Sequence, residues 1–463
     1  MNTFPASFEE RMKKQLQDEA PAFFAALQTE PPVSIRLNPG KVRSFGEIFP
    51  EQQNLQRVEW CGNAYYLSQR PVFTLDPAFH GGAYYVQEAS SMFLAHVLKQ
   101  ILPAGPLRAL DLCAAPGGKS TLLASQLSAD SLLVSNEVIR SRANILKENI
   151  IKWGQDNIVV TNNDPADFAR LEGAFDLILA DAPCSGEGMF RKDPDAIREW
   201  SENNTRLCSE RQQRILSDIW KCLKPGGYLI YSTCTYNRGE NEHILEWLVR
   251  ESGARSIKIE HPYTSICQGD STAYGYHFYP HKTQGEGFFI GVVQKTDGPE
   301  FSLRKNKKLK NNKIIPFPAA VLPFIHTPER YAAYETEVAT GLIPLLHSDF
   351  ISHLGNSLRV IYQGCEIAEP NNRKIKLMPA LALWQGLNKN NCTVYEADKT
   401  TALTYLKKED IPGQGLTGDW ILISYRGIGL GWCKNLGNRL NNYYPKEWRI
   451  RMAIHGQGLT TND

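Results

Sequence analysis

Between residues 108 and 252, short apolar runs alternate with amphipathic segments, and no other feature restricts the fold of this chain as much. RALDL (108–112), SLLVSNE (131–137), NIVVTNND (157–164), FDLILADAPC (175–184) and GGYLIYSTC (226–234) read as buried strands. GGKSTLLASQL, SRANILKENIIKW and RGENEHILEWLVRE read as the helices between and after them. Ile215, Leu216, Ile219, Trp220 and Leu223 repeat at helical spacing before KPGG (224–227), which is expected to end that helix in a turn. GFFIGVV (287–293) is a last strand. Strands that alternate with helices cannot pair as hairpins, so the expected fold is α/β, a mostly parallel, doubly wound, Rossmann-like sheet.

Such a sheet binds ligands at the carboxyl ends of its strands, near the point where strand order reverses. The residues there carry the chemistry. The first strand runs into Asp111-Leu112-Cys113-Ala114-Ala115-Pro116-Gly117-Gly118-Lys119-Ser120. A phosphate-binding P-loop would need glycine at position 113, and a dinucleotide fingerprint would need GxGxxG; neither fits. What remains is a tight glycine turn opening a helix, where backbone can approach a ligand closely. Glu137 ends the second strand, where an acid suits ribose hydroxyls. Asp164 follows the third; it could accept from an adenine amino group or simply cap the turn before Pro165.

Two thiols stand at strand ends as well. Cys184 follows Asp181 in DAPCSG, and Cys234 lies in STCTY. On neighbouring strands, both would reach one crevice. Spacing alone does not say which of them attacks. Cys208, Cys222, Cys267, Cys365, Cys392 and Cys433 read as ordinary core thiols, since free cysteine behaves as a small apolar side chain.

The motifs CAAPGGKS (113–120), Glu137, Asp164, DAPCSG (181–186) and STCTY (232–236), in this order, resemble the Nop/Sun family of RNA cytosine-5 methyltransferases. YYVQEASSMF (84–93) and GEGFFIG (285–291) resemble its flanking segments. The resemblance implies S-adenosylmethionine as cofactor. It assigns Cys113, Ala114, Ala115, Pro116, Gly117, Gly118, Lys119, Glu137, Asp164 and Asp181 to the cofactor site, with Asp181 also beside the target base. It makes Cys234 the nucleophile and gives Cys184 a part in product release. The chemistry is coherent. Carbon 5 of a pyrimidine is a poor nucleophile until a thiolate adds to carbon 6, so a thiol is what such an enzyme needs. Amino-group methylation, the rival reaction, ordinarily has an Asn/Asp-Pro-Pro-aromatic loop where this chain has Asp181-Ala182-Pro183-Cys184.

YRGIGLGWCKNLGNRLNNYYPKEWRIRM (425–452) resembles the end of bacterial ribosomal RNA methyltransferases of the RsmF type, which implies a PUA-like RNA-binding module. Lys434, Arg439, Lys446 and Arg449 are its expected phosphate contacts, interleaved with Trp432, Tyr443, Tyr444 and Trp448 for stacking. Small-subunit ribosomal RNA, free or in the assembled subunit, is the implied substrate. Transfer RNA, or a non-catalytic role in ribosome assembly, are the competing readings.

The 463 residues suit several domains. The expected division is an N-terminal RNA-binding or lid region (1–82), the catalytic domain (83–298), a basic linker (299–313), an intermediate domain (314–390) and an α+β or β-barrel PUA-like domain (391–463). RKNKKLKNNK (304–313) holds six basic residues and no acid, while the net charge is only +2, so any nucleic-acid signal is local. No CxxC pair occurs, no metal is expected, and no run approaches the roughly 18 apolar residues of a membrane span. MNTFPASFEERMKKQL lacks the apolar core of a signal peptide, so a cytoplasmic monomer is expected.

Overall fold

The computed structural model describes residues 3–52, 56–302, 313–370, 375–413 and 415–453. The basic run at 304–313 lies outside these except for Lys313. The chain opens with two helices, α1 (Ala6–Leu16) and α2 (Ala20–Ala26). Phe8, Met12, Phe23 and Leu27 recur at helical spacing and are buried together against Phe190, Trp200, Tyr236 and Tyr279. A small antiparallel sheet follows, β1 (Val33–Leu37), β2 (Ala64–Leu67) and β3 (Tyr84–Val86), with β1 in the middle. Helix α3 (Leu94–Ile101) then leads into the catalytic sheet.

That sheet is built from β4 (Arg108–Asp111), α4 (Gly118–Gln126), β5 (Leu132–Asn136), α5 (Arg140–Trp153), β6 (Ile158–Thr161), β7 (Phe175–Asp181), α6 (Glu202–Trp220), β8 (Leu223–Thr233), α7 (Glu242–Ser252), β9 (Gly275–Phe278) and β10 (Phe288–Gln294). Strands β6, β5, β4, β7 and β8 lie side by side and parallel, and β10 and β9 extend that flank antiparallel, with Cys267–Gln268 at its edge. Their side chains are apolar on both faces because helices cover both. Leu110, Leu133, Val134, Val159, Ile178, Leu179, Leu229 and Ile230 are fully enclosed, each contributing about 1.5–3 kcal/mol of burial. Strand order reverses between β4 and β7, which is where the loops ending in Gly117 and Gly186 meet.

The turn expected at KPGG is absorbed into β8. The strand starts at Leu223, and its register to β7 shifts between Phe175 and Leu177. Gly226 takes φ +75°, and the backbone of Gly226 and Gly227 bonds to that of Lys295. Between these pairings β7 advances two residues and β8 five, so three extra residues are looped out while the ladder continues.

Beyond β10 come β11 (Tyr331–Glu335), β12 (Thr340–Pro344), α8 (Ser348–Ser357), β13 (Val360–Gln363) and β14 (Cys365–Ala368). β11, β12 and β14 form a sheet with Lys313–Ile315, whereas β13 pairs antiparallel with β6 and so extends the catalytic sheet. After α9 (Pro379–Leu383), a five-stranded sheet holds β15 (Thr393–Glu396), β16 (Trp420–Tyr425), β17 (Ile428–Asn435) and β18 (Arg439–Asn442), with Ile411–Pro412 at its edge and α10 (Lys399–Leu406) packed on it.

Candidate active site

Gly117 caps α4 with φ +118° and ψ 1°, a conformation open to glycine and strained for any other residue. The turn before it is fastened from α5: Arg142 donates to the Ala115 carbonyl at 2.9 Å and Asn149 to that of Pro116 at 2.7 Å. Asp111, at the end of β4, is fully buried. It accepts from Ser120 Oγ at 2.7 Å through Oδ2, while Oδ1 has no hydrogen-bond partner. Burial pushes its carboxyl up to about 7.

A cavity of about 510 Å³ opens at the strand reversal. Glu137, Asp164 and Asp181 line it, and so do Cys113, Cys184 and Cys234. Glu137 is almost wholly enclosed; Oε1 accepts from the Ile139 amide at 2.9 Å, and Arg142 stands 3.7 Å from Oε2. Of the two roles weighed for Asp164, the turn cap is present. Its side chain caps the following turn, accepting from Ala166 N at 3.1 Å in a reciprocal box with Asp167, and it also faces the cavity. A second recess of about 180 Å³ continues over the glycine turn, lined by residues of 113–119 with Tyr85, Gln87, Glu88, Ser91 and Asp181. Three carboxylates, a glycine turn without side chains and a helix N-terminus offer acceptors for hydroxyl and amino groups, negative charge for a cation, and donors for a carboxylate. This donor set fits S-adenosylmethionine.

Asp181 joins this cofactor region to the thiols. Oδ2 receives Lys119 Nζ at 2.8 Å and Oδ1 receives Ser232 Oγ at 2.7 Å. Burial opposes the charge on Lys119, but Asp181 more than offsets it, and the ammonium is held above its ordinary pKa.

The two thiols touch. Cys184 Sγ lies 3.2 Å from Cys234 Sγ, and the Cys234 amide points at Cys184 Sγ at 3.4 Å. The hydrogen bond between them separates their acidities. Cys234 is lowered first by its bond with Cys184, and Cys184 is raised by that same bond and by burial. Cys113 is also raised, first by burial. Spacing brought these residues to one crevice without ordering the thiols, and the resemblance assigned attack to Cys234; the acidities favour the same thiol.

Several neighbours have no signal in the sequence. Glu187, fully buried, accepts from Arg11 at 2.5 Å, Trp200 Nε1 at 3.0 Å and the Tyr236 amide at 3.1 Å. The Gly188 amide donates to the Cys234 carbonyl at 2.8 Å. Arg211 and Arg214 line the cavity from α6. A residue spacing could not reveal them, because each acts across dozens of positions.

Away from this site, the expected C-terminal contacts divide. Lys446, Arg449 and Arg439 are exposed, Arg439 in an ion pair with Asp410 at 3.1 Å, and the less exposed Lys434 pairs with Asp419 at 2.8 Å. Trp432 and Tyr444 are not available for stacking on RNA. Both are buried: Trp432 packs against Phe324 in the cluster that reaches the catalytic sheet, and Tyr444 against Tyr405 in the cluster shared by the first and last sheets.

Comparison with known proteins accords with this geometry. Residues 101–294 match the family described as 16S rRNA methyltransferase RsmB/F. Residues 4–89 match the N-terminal domain of 16S rRNA methyltransferase RsmF, and 392–450 the methyltransferase RsmF PUA domain. Ribosomal RNA small subunit methyltransferase F of Enterobacter sp. (strain 638) is 30% identical over 99% of this chain and 98% of its own. The protein of that name from Escherichia coli O7:K1 is 30% identical over 96% of each. Among solved structures, a methyltransferase homologue from Pyrococcus horikoshii has 26% identity and a TM-score of 0.55, covering 63% of this chain and 95% of that one. NSun6 from Pyrococcus horikoshii, solved with SFG, has a TM-score of 0.56 at 21% identity, covering 64% and 100%, and shows the shared fold.

Proposed function

Because the chain belongs to the ribosomal RNA small subunit methyltransferase F family, we propose that it methylates carbon 5 of a cytosine in small-subunit ribosomal RNA. The observation that carries this reading is the thiol pair, 3.2 Å apart, in the cavity that also holds Glu137, Asp164 and Asp181. Glu137 would hold the ribose of S-adenosylmethionine, Asp164 its adenine, and the 113–119 turn its amino-acid end. The cofactor, when bound, supplies an electrophilic methyl group carried on a sulfonium.

The remaining chemistry belongs to the chain. Cys234, the more acidic thiol, adds as thiolate to carbon 6 of the cytosine, and the electron pair of the 5,6 double bond shifts toward carbon 5 and the ring nitrogen. Asp181 meets the amino group or protonated ring nitrogen of the base, with Lys119 holding its carboxylate in place. After methylation, removal of the carbon 5 proton restores the double bond and expels Cys234 as thiolate; Cys184 serves this release. The base must leave any stack to enter. Lys446 and Arg449, exposed on the C-terminal domain, contact RNA phosphate. The working unit is read as a monomer. A cytoplasmic location fits an RNA substrate and ten cysteines that are all free.

The test is covalent trapping. Cys234→Ala abolishes methyl transfer while cofactor binding survives. Cys184→Ala accumulates a protein–RNA adduct that persists in denaturant. Sequencing the trapped RNA separates a ribosomal from a transfer RNA target. Retained activity in Cys234→Ala would refute the covalent route.

A further inference from the structure

Behind the thiol pair lies a carboxylate that nothing in the chemistry above uses. Glu240 is fully enclosed and, among the described residues, has no ion-pair partner. It accepts three hydrogen bonds instead. The Ser185 amide donates at 2.8 Å, Ser185 Oγ at 2.6 Å and Gln212 Nε2 at 3.2 Å. Gln212 also donates to the Pro183 carbonyl at 3.0 Å. Cys184 is therefore flanked on both sides by residues fastened to one buried group and to α6.

The same carboxylate reaches the other thiol. Ser185 Oγ lies 2.9 Å from Thr235 Oγ1, next to Cys234. Tyr231 OH donates to the Glu240 carbonyl at 2.5 Å. The adjacent Asn241 accepts from Thr233 Oγ1 at 2.6 Å and donates to the Thr235 carbonyl at 3.0 Å, bracketing Cys234. A buried carboxylate without a cation opposes folding, and an apolar or amide side chain of like size would ordinarily serve the core better. Residues of that kind concentrate where function needs them.

We propose that Glu240 is a positioning residue that sets the separation and orientation of the Cys184–Cys234 pair by binding the residue after Cys184 and, through it, the residue after Cys234. Its ionised form is the one that accepts all three bonds. Burial pushes its carboxyl up to about 7, so protonation near neutrality loosens the bracket. The groups facing it are Cys184 and Glu187 from the β7 side, Cys208 from α6, and Tyr231 and Cys234 from β8. Burial raises Cys208 and Tyr231, and the bond to Cys234 raises Cys184. Among the thiols and the phenol, Cys234 alone is lowered. On the acid side, then, the wild-type rate falls with two protonations, at Cys234 and at Glu240.

This inference rests on the methyltransferase reading, and the experiment separates the two. Wild type, Glu240→Gln, Ser185→Ala, Cys184→Ala and Cys234→Ala are compared in turnover, RNA adduct and thermal unfolding. Glu240→Gln keeps the shape and loses an acceptor. Its kcat is expected to fall about 10- to 100-fold, the scale of a small misplacement of reacting groups. KM for RNA and Kd for S-adenosylmethionine stay near wild type. An adduct accumulates as in Cys184→Ala, the acid limb loses one proton of steepness, and the unfolding midpoint is unchanged or higher. Ser185→Ala, which keeps the amide bond, gives the same pattern in weaker form. If Cys184→Ala traps adduct but Glu240→Gln turns over with the wild-type rate and pH profile, the positioning role is overturned and the methyltransferase reading stands. A fall in the unfolding midpoint that parallels the loss of activity, with the steepness unchanged, overturns it too. If Cys234→Ala remains active, both fail.

Discussion

Gly117 shows how one residue can carry a site without offering a side chain. Its φ of +118° turns the chain from β4 into α4 and leaves the recess beside it free. An added Cβ would sit 3.4 Å from Leu146 and 3.5 Å from Asn149, which is ordinary contact, so the cost of Gly117→Ala is conformational, about 1–3 kcal/mol. The turn is expected to relax, and the affinity for S-adenosylmethionine to fall about 10-fold or more, each 1.4 kcal/mol being a factor of ten. Calorimetric titration checks this; unchanged affinity would mean the turn does not hold the cofactor. At this scale much was legible. Glu137, Asp181, Cys184 and Cys234 all follow apolar runs, and in a parallel sheet the ends of such runs converge. Glu240, Glu187 and Arg11 were not legible, since each acts through a partner at least 49 positions away.

The N-terminal helices give the clearest case at the scale of elements. α1 and α2 bury Phe8, Met12 and Phe23 on the aromatic cluster of Phe190, Trp200, Tyr236 and Tyr279. Arg11 on α1 meets Glu187, which in turn holds the amide of Tyr236, two residues beyond Cys234. Arg11→Met removes the cation and leaves a fully buried carboxylate behind. Breaking a buried pair costs about 3–5 kcal/mol; with Arg11 28% exposed, about 2 kcal/mol is expected. Denaturant unfolding measures it, and turnover should drop alongside because the loop after Cys234 loses an anchor. If stability and turnover both hold, the helices are only a cover. Period and polarity found most elements. They missed the bulge at KPGG, because glycine and proline mark a turn and a strand irregularity alike.

Across the whole molecule, the two ends of the chain share a core. Ile35, Leu37, Tyr65 and Tyr84 from the first sheet pack in one cluster with Tyr405, Ile421, Ile423, Ile428 and Leu440 from the last. Lys152 also sits 5.4 Å over the Trp448 ring, tying α5 to the C-terminus. The C-terminal module is therefore not a detachable appendage. A chain ending at residue 390 would expose the apolar face of β1 and β3. Limited proteolysis is expected to cut it first within residues 30–90, and the catalytic domain to melt earlier than in the full chain. A truncated chain with wild-type unfolding and proteolysis would show that the shared core contributes nothing to the rest.

The sequence by itself determined the doubly wound sheet and the cluster of acids and thiols at its carboxyl edge. Both follow from local periodicity, because a parallel sheet aligns the ends of its strands whatever the details of packing. The tertiary structure decided the rest: β13 extending the catalytic sheet from about 200 positions away, the first and last sheets closing over one core, and the 3.2 Å contact between Cys184 and Cys234. These depend on which side chains meet after folding and on the burial they share. Contacts of that kind leave no period in the chain, so spacing alone leaves the two cysteines alike, and in the folded chain it is first the bond they share that separates them.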